Sequence, residues 1–317
     1  MRTKLEGMTI CPDLRIPSAV DVQHAAERIA PHARRTPVLR ANVDGRPVVF
    51  KLEHLQRTGS FKLRGALNAL LAGELPERVV TASGGNHGLG VATAAALLEV
   101  PATVFVPHTA PEAKVRRIAA TGAEVVRHGN TYAEAAAVAQ DLAEKPDIRL
   151  LHAYDDPDVV AGQGTVGLEV LADAPEVDAV VAAVGGGGLA AGIAVALSGD
   201  GADRVTVAVE PEHCCALHRA LAAGAPVDTE VNSVAASALG ATRVGQLPFA
   251  VFTTRPTRSV LVSDDEILAA RDRLWEEFRL AVEPAAAAPF AAWLAGRFEA
   301  ELPCLVLCGG NADWTPA

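Results

Sequence analysis

The sequence predicts an α/β fold built from two open parallel-sheet domains. Short apolar segments alternate with Ala- and Leu-rich segments of helical length along most of the 317 residues, a rhythm typical of βαβ units. Half of the residues are apolar, which is enough to form two packed cores of ordinary size. In addition, three glycine-rich corners each follow a predicted strand, as ligand-binding corners of such sheets do.

The first half of the chain contains the clearest series of alternating strands and helices. Proline at 111 suits the first turn of a helix, where its missing N–H is no loss. The series is compact and predicts a small domain over residues 78–148. Its strands are expected at RVVTAS, ATVFVP and AEVVRH, and its helices over residues 86–98, 111–120 and 132–144.

A second series is predicted to begin at RLLHAY and to form a large domain. Its further strands are expected at DAVVAAV, RVTVAVE and CLVLCGGN, with a helix from Leu189 and two helical segments before the last strand. The string PVLRANVDGRPVVFKLEHLQ predicts two short strands joined by a turn, which can pack only on this series. The large domain is therefore expected to be discontinuous, over residues 1–77 and 149–317.

Composition argues against several classes of protein. With 38 acidic and 28 basic residues, a formal charge of −10 and no basic block, a nucleic-acid surface is not expected. We find no apolar run of membrane-spanning length and no apolar signal core at the start, so we expect no membrane partner and a cytoplasmic location. Cys304 and Cys308, four residues apart in a predicted strand, stand too far apart to share one metal ion.

The three glycine-rich corners are SGGNHG (83–88), GGGGLAAG (185–192) and CGGN (308–311). Since the carboxyl ends of parallel strands share one edge of a sheet, these corners are expected to line one cleft with Lys62. Lys62 stands at a predicted helix start, where a free cation is disfavoured by the helix dipole. It therefore either faces water or meets an anionic or covalent partner, whereas Arg64 is interpreted as a solvent-exposed or ion-paired residue.

The corner GGGGLAAG leaves two functions open. Its bare backbone N–H groups at a helix start can hold a phosphate. It also fits a loose dinucleotide fingerprint through Gly185, Gly187 and Ala190, with Glu210 at the end of the next strand. An NAD-dependent oxidoreductase is therefore an alternative on this segment alone.

The strings KLEHLQRTGSFKLRGA, TASGGNHG, GGGGL, VEP and CGGN together resemble the serine/threonine dehydratase family of fold-type II pyridoxal-phosphate enzymes. The match is collinear from about residue 35 to residue 313, and a dinucleotide enzyme has no reason to carry the whole set. The resemblance implies a tryptophan synthase beta-like fold with the active site between two domains, pyridoxal 5'-phosphate as cofactor, an amino-acid substrate and a homodimer. The implied reaction is β-elimination, which turns a β-hydroxy amino acid into a 2-oxo acid and ammonia. A racemase or β-replacement enzyme of the same fold type, or a non-catalytic vitamin-B6-binding protein, is the alternative.

The resemblance also assigns roles to individual residues. Lys62, preceded by Phe61, is implied to be the Schiff-base lysine and the base at the substrate Cα. Asn86 is implied to reach the ring hydroxyl, Glu283 to lie near the ring, and Cys308 to face the pyridine nitrogen. The substrate carboxylate is implied to meet Ser83, Gly84, Asn86 and His87, and the cofactor phosphate to meet Gly185, Gly186, Gly187, Gly188 and Leu189.

At several positions this sequence differs from the family pattern, and these differences limit the activity and the metal binding that we expect. Serine racemase has a serine at the position of Gly84, so racemisation is not the expected main activity. Glu210 matches the first ligand of the family's divalent-cation site, but Ala216 replaces a second acid, so a tight Mg²⁺ or Ca²⁺ site is doubtful and a weaker monovalent ion stays open. Little chain follows Asn311, so isoleucine control is not expected. The segment VNSVAASALGATRVGQLPF is expected to wall the pocket with small residues and leave room for a larger side chain than that of threonine.

Overall fold

The computed structural model describes residues 14–312 and contains, within them, two β-sheets surrounded by helices. The strands are β1 (Val38–Val43), β2 (Arg46–Lys51), β3 (Arg78–Ala82), β4 (Ala102–Val106), β5 (Glu124–Arg127), β6 (Ile148–Leu150), β7 (Ala179–Ala183), β8 (Val205–Pro211), β9 (Thr257–Val262) and β10 (Pro303–Val306). The helices are α1 (Ala19–Ile29), α2 (Lys62–Leu71), α3 (Asn86–Leu97), α4 (Glu112–Ala119), α5 (Tyr132–Leu142), α6 (Pro157–Asp173), α7 (Gly188–Leu197), α8 (Ala216–Ala223), α9 (Ala236–Leu239), α10 (Gln246–Thr254), α11 (Asp264–Phe278) and α12 (Pro284–Leu294).

The larger sheet has six strands in the order β1-β2-β10-β7-β8-β9. All neighbouring pairs are parallel except β1 and β2, which form an antiparallel hairpin with Val43 opposite Arg46. Every residue of β7 and of β10 is buried, as expected for central strands covered by helices on both faces. The β1–β2 hairpin that the sequence predicts is therefore confirmed.

The smaller sheet has four parallel strands in the order β5-β4-β3-β6. The three predicted strands and three predicted helices of residues 78–144 are confirmed, with ends that agree to within two residues. One placement is wrong: RLLHAY was expected to begin the second series, but β6 pairs with β3 through Val80 and Leu150. Its short run of three residues carries no signal that distinguishes the two sheets.

The end of the chain contains more elements than the sequence indicated. Five helices (α8 to α12) and the strand β9 lie between β8 and β10, where two helical segments and no strand were expected. β9 pairs in parallel with β8 along six residue pairs. Arg255 and Arg258 interrupt the apolar pattern of this segment. The pattern therefore did not indicate a strand, and β9 is an edge strand that is only partly buried.

Helix α2 crosses α6 at very short range, and this fixes the position of the predicted catalytic lysine. A Cβ built on Gly162 would lie 2.7 Å from both the carbonyl oxygen of Arg64 and the Cα of Gly65, so only glycine permits this approach. Ser60, just before α2, forms an isolated antiparallel bridge with Gly309. None of the described helices combines the length and apolar character needed to span a bilayer.

Candidate active site

Lys62 is the first residue of α2 and is half-buried. Its Nζ donates to the carbonyl oxygen of Ala153 at 2.8 Å, and it lies 5.2 Å from the centroid of the Phe61 ring. Burial lowers the pKa of Lys62 to about 8, although the nearby Cys308 and Glu283 act in the opposite direction. A lysine amine with such a pKa is partly unprotonated near neutral pH and can act as a nucleophile or a base.

Asn86, the first residue of α3, connects the first and third glycine-rich corners. Its Nδ2 donates to both carboxyl oxygens of Glu283, at 2.9 and 3.1 Å. Its Oδ1 accepts from Nδ2 of Asn311 at 2.9 Å. Burial raises the pKa of Glu283, while Asn86 and the surrounding cations oppose the rise. Two predicted site residues, Asn86 and Glu283, are thus in direct contact.

Cys308 lies at the end of β10, directly beside the start of α2. Its carbonyl oxygen accepts from the backbone N–H of Phe61 at 3.2 Å. Burial raises the pKa of the Cys308 thiol far above its usual range, and the neighbouring Glu283 acts in the same direction. Cys308 therefore presents an uncharged sulfur within electrostatic reach of Lys62.

The second corner forms the N-terminus of α7 and is shaped by glycine. Gly187 has a φ of +99°, a left-handed conformation that L side chains rarely adopt. A Cβ on Gly186 would lie 2.1 Å from the ring of Tyr154, and one on Gly185 would lie 3.0 Å from Cα of Leu239. The result is a bare loop at a helix start, whose backbone amides suit a phosphate group. This cradle and the half-buried Lys62 fit the two ends of pyridoxal 5'-phosphate.

The residues predicted to hold the substrate carboxylate divide into two groups. Gly84 and Asn86 line a cleft, whereas Ser83 Oγ accepts from the N–H of Gly85 at 3.2 Å and shapes the loop. His87 is buried, with Nε2 3.1 Å from the carbonyl oxygen of Leu151. Burial lowers the pKa of His87 to about 3, and the charge of Lys62 adds to this effect. His87 is thus neutral and engaged with the backbone.

The cleft is open to solvent and is bordered by residues that the sequence interpretation did not single out. Lys114, Arg117 and Ile118 of α4 face it from the smaller sheet. Ser237, Glu283 and Asn311 face it from the other side. The string PEAKVRRIA carried a usable signal, because Lys114 and Arg117 are three residues apart and share one helix face. Nothing in the sequence, however, indicated which cleft that face borders.

Arg64 was interpreted as either a solvent-exposed or an ion-paired residue. The structure shows that it is ion-paired and not solvent-exposed. Its side chain is 1% exposed. It donates to both oxygens of Glu53, each at 2.8 Å, and to both oxygens of Glu169, at 2.7 and 2.9 Å. Lys51 Nζ joins the cluster 2.5 Å from Glu169. Burial alone would lower the pKa of Arg64, but the two carboxylates raise it above its usual range.

Glu210, the doubtful metal ligand, is fully buried and uses its carboxyl group to cap α8. Its two oxygens accept from the backbone N–H groups of Leu217 and His218, both at 2.8 Å. Burial raises the pKa of Glu210 to about 8. Across residues 14–312, no group of three or more His, Cys, Asp and Glu side chains is arranged to hold a metal ion.

Comparison with known proteins agrees with the geometry. The family model described as pyridoxal-phosphate dependent enzyme matches residues 29–309. The chain is 39% identical over 302 residues to an L-threonine ammonia-lyase of Geobacter sulfurreducens, covering 92% of this chain and 75% of that protein. It is 36% identical over 320 residues to serine racemase of Rattus norvegicus, covering 94% of each.

Among solved structures, a threonine deaminase of T.th. superimposes with a TM-score of 0.89 at 39% identity, covering 95% of this chain and all of that one. The predicted family, fold class and cofactor are confirmed, and the NAD-dependent alternative has no support among these matches. The chain belongs to the family of pyridoxal-phosphate-dependent enzymes, as a fold-type II lyase with pyridoxal 5'-phosphate as its cofactor.

Proposed function

We propose that this enzyme is a β-hydroxy-amino-acid ammonia-lyase of the threonine and serine dehydratase type, with Lys62 as its catalytic residue. The observation that supports this most is the half-buried Lys62 amine, whose pKa is lowered to about 8 by burial beside Cys308 and Glu283. This amine donates to Ala153, the residue before the Tyr154 that packs on Gly186. The names of its relatives, an L-threonine ammonia-lyase and a threonine deaminase, point to the same reaction.

The cofactor would be held at both ends by residues of this chain. Lys62 would attach it covalently, and the backbone amides of Gly185 to Leu189 would bind its phosphate at the start of α7. Phe61, Asn86, Glu283 and Cys308 would surround the ring. When bound, pyridoxal 5'-phosphate supplies an electron sink for the electron pair left behind when the substrate Cα loses its proton.

Lys62 would also perform the proton transfer. With a substrate bound beside it, the Lys62 amine would be the group that takes the Cα proton. Its lowered pKa leaves a usable fraction of neutral amine at physiological pH, and its hydrogen bond to the carbonyl oxygen of Ala153 orients the nitrogen. The substrate carboxylate would bind at the N-terminus of α3, where backbone N–H groups favour an anion and where Gly84 and Asn86 line the cleft. Ser83 and His87 would hold the loop and the helix behind it.

Cys308 would influence which reaction follows proton removal. Its buried, neutral thiol is a weak hydrogen-bond donor, so it offers no charge-assisted partner to the ring nitrogen. A neutral partner of this kind would favour rapid departure of the β-hydroxyl over transamination. Gly84, which offers no hydroxyl on the opposite face, favours the same outcome. Racemisation is the alternative activity, because rat serine racemase is also a relative.

The test is a screen of the holoenzyme with threonine and serine, measuring release of ammonia and of a 2-oxo acid alongside interconversion of enantiomers. We expect deamination to exceed racemisation, and Lys62→Ala to abolish both. Racemisation faster than deamination would replace the proposed function by the alternative. Light scattering on the purified protein tests the homodimer, and cell fractionation tests the cytoplasmic location; both rest on the family resemblance and the sequence.

A further inference from the structure

The cleft beside the Lys62 site carries two positive charges that the proposed chemistry does not use. Lys114 and Arg117 lie on one face of α4, one turn apart, and both border the cleft. Asn86 and Glu283 border the same cleft, and Glu283 is close enough to Lys62 for each to affect the other's pKa. The cleft is therefore continuous with the proposed site of reaction.

Neither cation forms an ion pair with an acidic side chain among residues 14–312, although both act electrostatically on Glu283. The Lys114 amine makes no hydrogen bond or ion pair with any described residue, and it is half-buried. Arg117 donates to Oδ1 of Asn311, a neutral amide, at 2.5 Å. By contrast, Glu112, on the same helix, pairs with Arg127. In a chain with a formal charge of −10, two cations that face a cleft without a carboxylate in ion-pair contact suggest that a ligand supplies that contact.

Glu283 is the one carboxyl group in the described cleft lining, and it is already engaged. Both of its oxygens accept from Nδ2 of Asn86, and its side chain is buried beside Gly309. Neither of its oxygens forms an ion pair with Lys114 or Arg117, although both cations are near enough to oppose the rise in its pKa. Gly84 and Gly85, which carry no side chains, and Ser237 complete the lining of this solvent-open cleft.

We propose that Lys114 and Arg117 form a specificity subsite for a second substrate carboxylate, so that the preferred substrates are 3-hydroxy dicarboxylic amino acids. This inference rests on the proposed function and specifies its substrate class. A carboxylate placed between two cations gains charge-assisted hydrogen bonds that a methyl or hydroxymethyl side chain cannot make. A site with polar groups that only one substrate can satisfy discriminates strongly against the others.

The reaction on such a substrate balances without any further reagent. Removal of the Cα proton by Lys62 and loss of the β-hydroxyl together release one water molecule. The enamine product tautomerises to an imine, which takes up one water molecule and yields ammonia and a 2-oxo dicarboxylic acid. No net oxidation or reduction occurs.

The experiment compares kcat/KM of the holoenzyme for threo-3-hydroxyaspartate and for threonine. We expect at least a tenfold preference for 3-hydroxyaspartate. Lys114→Met and Arg117→Met, which keep the apolar stems, should each lower that preference roughly tenfold, as expected for a lost hydrogen bond to a charged group. Arg116→Met is the matched control, because Arg116 is exposed like Arg117 but does not border the cleft, and it should leave the preference unchanged.

A binding measurement separates this subsite from the proposed reaction. Calorimetry with L-aspartate, which has no β-hydroxyl to lose, should show tighter binding than 2-aminobutyrate, and Arg117→Met should remove the difference. Equal kcat/KM for the two substrates in the wild type, or a preference that survives both substitutions, would overturn the subsite. If neither substrate releases a 2-oxo acid, the proposed function fails, and the aspartate measurement still decides whether the subsite exists.

Discussion

Replacing Arg64 by methionine should destabilise the protein strongly, because Arg64 is the centre of a buried charge cluster. The cluster contains two cations, Arg64 and Lys51, and two carboxylates, Glu53 and Glu169. Removing Arg64 leaves one uncompensated negative charge, and Glu53 keeps only Thr36 Oγ1 as a side-chain partner in the described part of the chain. Breaking a buried ion pair in this way costs about 3–5 kcal/mol.

The expected shift in melting temperature follows from the size of the protein. An unfolding entropy of about 2.1 cal/mol/K per residue, applied to 317 residues, converts that cost into a fall in Tm of about 5–8 °C. Arg64→Lys keeps the charge but loses the planar fork, so we expect a smaller fall. Arg64→Met combined with Glu53→Gln should lose less than the sum of the two single variants, because the two side chains are in direct contact.

Calorimetry or thermal circular dichroism of the purified enzyme measures these shifts. Arg40→Met is the matched control, since it breaks the exposed pair with Glu176, in which both side chains are about half exposed (51% and 46%). Exposed pairs contribute at most about 1 kcal/mol. If Arg64→Met melts within 1–2 °C of Arg40→Met, about the shift expected for the exposed pair itself, the buried cluster does not stabilise the fold and the reasoning is refuted.

Three further predictions concern other residues. Gly84→Ser should fold, because a Cβ there would meet Ala110 at an ordinary 3.4 Å. The variant should gain slow serine racemisation, measured by chiral chromatography. A wild type that already racemises serine as fast as it deaminates it would contradict this. Chelation by EDTA and readdition of Mg²⁺ should change neither Tm nor kcat/KM, because the oxygens of Glu210 already accept from the backbone of Leu217 and His218. A fall in Tm or kcat/KM that Mg²⁺ restores would contradict this prediction. The pKa of His87 falls from its ordinary 6.5 to about 3 in the folded protein. The contribution of the neutral His87 to the free energy of unfolding is therefore fully present above pH 6.5 and is lost as the pH falls toward 3. His87→Gln should therefore show a smaller fall in Tm between pH 7 and pH 5 than the wild type, and an equal or larger fall would show that His87 does not titrate in this way.

The sequence predicted the first series of strands and helices well, because each of those elements is bounded by clear local signals. Pro111 was expected in the first turn of a helix, and in the structure it occupies the N-cap position of α4. β9 was missed since it is an edge strand with an arginine at 258 in its alternating pattern. The assignment of β6 to the smaller sheet depends on pairing between distant residues, which periodicity does not report.

The same distinction applies to the candidate site: residues in short local motifs were predicted, and those whose environment depends on long-range contacts were not. Lys62, Asn86 and the glycines of residues 185–188 were named because short strings carry them. The environments of Arg64 and of the cleft depend on contacts over long sequence separations: Arg64 meets Glu169, 105 residues away, and Arg117 meets Asn311, 194 residues away. Such contacts arise from the packing of α2 on α6 and of α4 near the end of β10, and no local motif encodes them.

The most direct test of the central claim is to locate the lysine that carries the cofactor. The purified holoenzyme is reduced with borohydride, digested and analysed by mass spectrometry, with Arg116→Met carried through as a control for surface substitution. The account predicts a yellow protein with one pyridoxyl group per chain, attached to Lys62, and no label in Lys62→Ala. A pyridoxyl group on another lysine, or a protein that takes up no cofactor, would contradict the assignment of Lys62 and the mechanism built on it.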